Sequence, residues 1–323
     1  NTAVGRNTGA NITTGAQNTL IGGLAGDALT DADYNVAVGI EALSADTLGS
    51  GSIAIGRNAL STQNFTTATT TYNTAVGDRA GLAVTTGVQN TLIGGLAGDA
   101  LNVGVENVSL GYASLTTDTK GSFSTAIGTF ALAGQNFTTA TNTYNTAVGY
   151  NAGAAVTTGT NNTFVGGLAG DANTTGPSNT FIGQNSGGAT TTGGQNTAVG
   201  EGALATNTTA GTNTAIGRDA MFHSTTGQNN TALGHSAMKA NTTATGNFAA
   251  GYSALQDCTV GHSNAASGAY SLGNVTDGDY NVGHGYASGG QITTGLANVC
   301  VGYNAGDAIV SGSNNINIGY LSD

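Results

Sequence analysis

The apolar residues of this 323-residue chain follow no helical period; they come in short, regularly spaced triplets. The string Asn-Thr-Ala-Val-Gly fills residues 1–5, and related strings end at Gly22, Gly39, Gly56, Gly77, Gly94 and onward to Gly319. There are 19 strings; 16 of the 18 spacings between them are 17 residues and two are 21. The longer spacings carry related inserts, Gln63-Asn64-Phe65-Thr66-Thr67 and Gln135-Asn136-Phe137-Thr138-Thr139, 72 residues apart. A super-repeat of four coils therefore lies above the single coil.

Positions are numbered here from each motif glycine as zero. Position −4 is Asn in 17 of 19 strings, Ser52 and Ser124 being the exceptions. Positions −3 to −1 are β-prone and often β-branched, which predicts a three-residue strand. The later Thr-Thr-Gly, as in Thr13-Thr14-Gly15, predicts a second strand or a corner running into a turn. Seventeen residues leave no room for a crossover helix. The predicted fold is all-β: a parallel β-solenoid or β-roll of about 19 coils, two of them longer, forming one domain over residues 1–323. The recurring Asn is expected to form a hydrogen-bonded ladder from coil to coil, and the motif glycine to mark a corner or close backbone approach.

Volumes predict the interior. Nine coils have Leu or Met at +4 (Leu43, Leu60, Leu115, Leu132, Leu204, Met221, Met238, Leu255 and Leu272), and all nine have Ala or Ser at −2. Five coils have a larger residue at −2 (Leu20, Leu92, Phe164, Phe181 and Cys300), and all five have Gly at +4. Such compensation is what close packing demands of two side chains sharing one space. The coils of Gly5, Gly77, Gly149 and Gly285 are small at both positions, and the larger −2 residue of the next coil is expected to lean in.

Because side chains alternate along a strand, an inward −2 implies an outward −1. Position −1 is Val, Ile or Leu in 16 coils, then turns to Ala250, Ser267 and His284 in three successive ones before returning to Val301 and Ile318. A long aliphatic stripe calls for a cover. Self-association is the simplest, with three chains about an axis as the expected arrangement; His284 would then approach that axis as a candidate transition-metal ligand, although a merely degenerate patch, which costs little in a long additive stack, is the simpler reading of these three coils.

Composition narrows the function. The chain has 54 Gly, one Pro, no Trp, 7% charged residues and a net charge of −11. It is 38% hydrophobic, too apolar for a disordered chain. Its few cations are scattered, which argues against a nucleic-acid partner. No apolar run suits membrane insertion. Cys258 and Cys300 lie about two and a half coils apart, beyond the reach of a disulfide at ~4.8 Å per coil.

Ser52-Ile53-Ala54-Ile55-Gly56-Arg57-Asn58-Ala59, Ser124-Thr125-Ala126-Ile127-Gly128 and Asn35-Val36-Ala37-Val38-Gly39 resemble the head repeats of trimeric autotransporter adhesins. The chain also resembles repeat regions of bacteriophage tail fibres, in which Asn-Thr-Ala-Val-Gly and Thr-Thr-Gly strings recur. The resemblance implies a left-handed roll, a homotrimer, and an extracellular location on a cell or virion surface. It further implies a segment of a longer fibre that attaches to a receptor or glycan. A sheath or matrix filament without receptor binding is the alternative.

Candidate chemistry is sparse. The histidines His223, His235, His262 and His284 fall at four different coil positions with no partnered nucleophile, so no catalytic residue and no cofactor is expected. Asp31 and Asp33, and likewise Asp277 and Asp279, place alternating carboxylates in a turn, a pattern able to offer oxygen ligands to Ca²⁺. Asp is also a common turn former, and the turn reading is the simpler one.

Overall fold

The computed structural model describes residues 1–323 and contains no helix. Two compact units make up the chain, Asn1–Asn162 and Thr163–Asp323. The first carries nine three-residue strands, from Thr2–Val4 to Thr146–Val148, and the second carries ten, from Thr163–Val165 to Ile316–Ile318. Within each unit every strand pairs in parallel with its counterpart one coil away, as in Leu20↔Ala37 and Ala215↔Ala232. Across the first insert the register holds by sequence position, with Ala54 opposite Ala75. The predicted β-solenoid, with its coil length, is the observed fold.

Each coil turns through three left-handed residues, at +2, at +4 and immediately before the Asn; Leu24, Leu43 and Tyr34 are examples, with φ of 59°, 52° and 61°. The motif glycines stand apart, with φ between 126° and 144°, a region that other residues avoid. Space forbids a side chain as well: a Cβ on Gly5 or Gly234 would lie 2.5 Å from the carbonyl oxygen of the next motif glycine. The glycine is thus both a corner and the point where successive coils touch.

The Asn ladder is present and has two arms. Asn35 donates its backbone N–H to Asn18 Oδ1 (2.9 Å), while its Nδ2 donates across the coil to the Gly49 carbonyl (2.9 Å). Equivalent pairs recur in the second unit, for example Asn230 with Asn213 and Ala244. One buried amide therefore ties a coil both to its neighbour and to its own far turn.

Of the second strand or corner expected at Thr-Thr-Gly, the corner is what forms in most coils. At Thr-Thr-Gly the backbone bends, and only the insert coils form two-residue strand pairs, Gly49–Ser50 with Thr69–Thr70 and Gly121–Ser122 with Thr141–Asn142. Elsewhere the corner is held by a threonine file, in which Thr191, Thr208 and Thr225 each donate N–H and Oγ1 to the carbonyl one coil on. The hydroxyl does the work of a longer strand, so coil-to-coil bonding persists without extended backbone.

The interior follows the volume rule. All residues at −2 from Leu20 to Cys300 and all nine Leu or Met at +4 are buried. A Cβ added at Gly98 would sit 2.8 Å from Leu92 Cδ2, and one at Gly170 would sit 2.6 Å from Phe164 Cε1. Because leucines adopt the same left-handed φ at +4 in other coils, space rather than conformation selects glycine there. The coils small at both positions are filled from two sides. Gly9 faces Leu20 of the next coil, as expected, but also Ile12; Gly81 faces Leu92, Leu60 and Val84; Gly289 faces Leu272, Ile292 and Cys300. Position +7 is thus a third partner in the core: Ile12, Val84, Val156 and Ile292 mark all four coils that are small at both other positions.

Candidate functional site

Outward positions offer two surfaces. The first is the aliphatic row at −1. The strand burial pattern alternates, with −2 inside and both flanking residues partly or fully exposed. Ile55, Ile216 and Leu233 are 38%, 42% and 36% exposed, so the row is half-covered by its own coils and open on its outer side.

The second surface was not anticipated from the sequence. It lies in the second unit, on the residues that follow the motif glycine. Rings at +1 or +2 stand one above another from coil to coil: His235, Tyr252, Tyr270, Tyr286, Tyr303 and Tyr320, with successive centroids 5.2–5.7 Å apart. Beside them runs a groove of about 560 Å³. The sequence signal was the recurring Gly-Tyr dipeptide at 251–252, 285–286, 302–303 and 319–320. Ala269 breaks the column at +1, and only the fold shows Tyr270 restoring it from +2.

A third feature, also unanticipated, is buried and polar. At the first insert Asp46 Oδ1 accepts from the Gly49 and Phe65 N–H groups, and Asp46 Oδ2 accepts from Gln63 Nε2 (2.6 Å). Gln63 Nε2 also donates to Ser52 Oγ (2.8 Å), and Gln63 Oε1 accepts from Asn73 Nδ2 (2.8 Å). The same set recurs 72 residues on at Asp118, Gln135, Ser124 and Asn145. Ser52 and Ser124 are the two gaps in the Asn column, and the glutamine amide reaches across the coil to bridge each gap. Burial pushes the Asp46 carboxyl above its ordinary value of 3.8, against the lowering by its hydrogen bonds. Every polar arm of this cluster has a protein partner, so it reads as structural.

The sequence-predicted candidates fall apart from one another. Asp31 accepts from Thr14 Oγ1, and Asp33 Oδ1 accepts from the Ala16 N–H of the preceding coil (2.6 Å). Asp279 caps the His262 N–H in the same way (2.6 Å), while Asp277 accepts from its neighbour Thr276. Asp31, Asp33 and Asp279 therefore extend the coil-to-coil bonding at the turn, and Asp277 bonds within its own turn. No group of three or more His, Cys, Asp or Glu side chains converges anywhere in the chain. His284 is exposed, in register between Ser267 and Val301.

The other histidines are also dispersed. His262 Nδ1 accepts from the Thr245 N–H, His235 stacks on Tyr252 beside Arg218, and His223 meets Phe222 edge-on. None is hydrogen-bonded to a serine, threonine or cysteine side chain. Both cysteines are free and buried; burial pushes the Cys258 thiol up to about 12, far from a reactive thiolate. No helix is long and apolar enough to cross a membrane.

No protein-family model matches the chain, and no curated protein matches it.

Proposed function

We propose that this chain is a non-enzymatic extracellular fibre segment serving attachment to a host or surface, as bacterial surface adhesins and phage tail fibres do. We further propose that it works as a homotrimer packed through the −1 row. The observation that carries the reading is that row: a branched aliphatic or Leu stands at −1 in every coil from Val4 to Val148 in the first unit and from Val165 to Leu233 in the second, partly or fully exposed in the single chain. An apolar strip running coil after coil within each unit is unusual on a monomer. Covering each half-exposed Ile or Val contributes about 1 kcal/mol, and the gain repeats with every coil. The dispersed histidines, the bonded carboxylates and the repeat strings resembling adhesin heads support the same reading.

Sedimentation of the purified chain tests the assembly. The wild type should sediment as a trimer, and the Ile182→Asp/Ile216→Asp variant as a monomer with an unchanged circular dichroism spectrum. A wild type that is monomeric at all concentrations overturns it. Immunogold labelling of the carrier cell or particle tests the role. Label on projecting fibres supports attachment, whereas a continuous coat supports the sheath alternative.

A further inference from the structure

The tyrosine column and its groove have no role in the assembly just proposed. Three observations in the second unit coincide in the same coils. The aliphatic row lapses at Ala250, Ser267 and His284. In those coils the tyrosines of the aromatic column begin, with Tyr252, Tyr270 and Tyr286 each between 42% and 48% exposed. The groove opens there too. Its lining includes an aromatic row of Tyr270, Tyr286 and Tyr303 at +1 or +2 and, at +6 of successive coils, a polar row of Asp257, Asn274 and Gln291, with Gln256 beside it at +5. Gly273 and Gly290, at +5, also line it.

From this we infer that the groove binds an extended chain of neutral pyranose sugars running along the coil axis. The inference rests on the attachment reading and names the ligand class. A pyranose ring is amphipathic in the same sense as the groove. Its axial C–H groups form an apolar face that packs on an aromatic ring, and its equatorial hydroxyls need donors and acceptors at the edge. Tyrosine supplies the first at little entropic cost; the side-chain amides, which both donate and accept, supply the second. The site repeats once per coil, which suits a polymer of like units better than a peptide of varied side chains. Strand addition by a peptide is disfavoured because the backbone N–H and carbonyl groups here already bond to adjacent coils, as Tyr270 N–H does to the Tyr252 carbonyl. A polyanion is disfavoured by Asp257 and Asp307 in the lining and by the net charge of −11.

The chain has no Trp, so its intrinsic fluorescence comes from 11 tyrosines, five of them in the column. Cellohexaose, chitohexaose and maltohexaose should be titrated into the full chain and followed by tyrosine fluorescence and calorimetry, with a heparin hexasaccharide as the anionic control. At least one neutral hexasaccharide should bind. Tyr286→Ala/Tyr303→Ala should weaken it by about tenfold or more, whereas Tyr286→Phe/Tyr303→Phe, which keeps the apolar face, should stay within about twofold. Gln291→Ala should weaken binding while leaving the aromatic row intact. The inference is overturned if no neutral probe binds up to about millimolar concentration, if heparin binds in preference, or if the Ala pair binds as the wild type does. It is also overturned if the Ala pair loses its oligomeric state, since the column would then be a chain-to-chain contact. A trimer without sugar binding removes this inference and leaves the fibre assembly standing; sugar binding by a monomer does the reverse.

Discussion

The two units solve the same packing problem with different chemistry at position +7. In Asn1–Asn162 that position alternates between apolar plugs, such as Leu29, Val84 and Leu101, and the paired Asp46/Gln63 and Asp118/Gln135, whose buried arms are hydrogen-bonded. In Thr163–Asp323 it begins as a file of small polar residues, Asn173, Thr190, Asn207, Ser224 and Asn241, all buried. The side-chain amides of Asn173 and Asn241 and the Ser224 hydroxyl have no protein partner. Buried polar groups normally pair, so the backbone coil must be stable enough to carry these exceptions. The coil is specified by its glycine and its Asn, which both units share, and +7 is left to local fitting.

If that division is right, the largest effects should be common to both units. Gly111→Ala and Gly234→Ala each force a side chain into a φ near +140° and against the next coil's carbonyl. Each should cost about 3 kcal/mol or more, and hydrogen exchange should localise the loss to the adjoining coils. A marked difference between the units would break the equivalence.

Next in size is overpacking. Gly170→Leu should cost at least about 1–3 kcal/mol against the Phe164 ring, while Leu60→Met should cost under about 1.5 kcal/mol. Adding Phe164→Ala to Gly170→Leu exchanges the large and small partners and should recover most of the loss. Thermal unfolding of the single and double variants decides the matter, and an additive double variant would disprove the −2/+4 contact.

Position +7 itself separates the units. Gln63→Val strands Asp46 Oδ2, takes one hydrogen bond each from Ser52 and Asn73, and should destabilise by about 1–3 kcal/mol. Asn241→Val removes an amide that has no partner and should be neutral or stabilising by up to about 1 kcal/mol. Losses of equal size would sink the distinction.

The smallest effect depends on pH. Burial holds the Asp46 carboxyl above 3.8, so the folded state takes up its proton before the unfolded chain does. Stability then rises as pH falls through the folded pKa, levels off below the ordinary value, and declines again as pH is raised. The wild type should gain on Asp46→Asn as pH is lowered from neutral toward about 4. The opposite drift in melting temperature would show that the hydrogen bonds outweigh burial.

Much of this was legible in the sequence because the repeat makes each coil a control for the others. The strand, the Asn column and the −2/+4 exchange are pairwise regularities visible by aligning the coils. Position +7 was harder to read because it answers to two partners at once and is apolar in some coils and polar in others. The Ser52 and Ser124 exceptions looked like lapses in a pattern, yet they mark where Gln63 and Gln135 cross the coil, a compensation between residues 11 apart that no single column displays. The tyrosine groove was hidden for a geometric reason: Tyr270 leaves the sequence column but stays in the spatial one. The sequence left strand and corner open at Thr-Thr-Gly, because hydroxyl-to-carbonyl bonds that hold the corner without extended backbone leave no hydrophobic pattern to separate the two.

The two-armed asparagine also has a genetic consequence. Each amide reaches one coil back and one turn forward, so within a unit no coil depends on how many others precede it. Recombination between misaligned repeats in the coding sequence would add or delete whole coils, and each product would restore the same bonds at the junction. Exchanges offset by other than a whole coil would leave an Asn without its acceptor and be lost. Such a gene can vary the length of its product freely in quanta of one coil, and the 72-residue block with its Asp–Gln bridge can be copied as a larger quantum of the same kind.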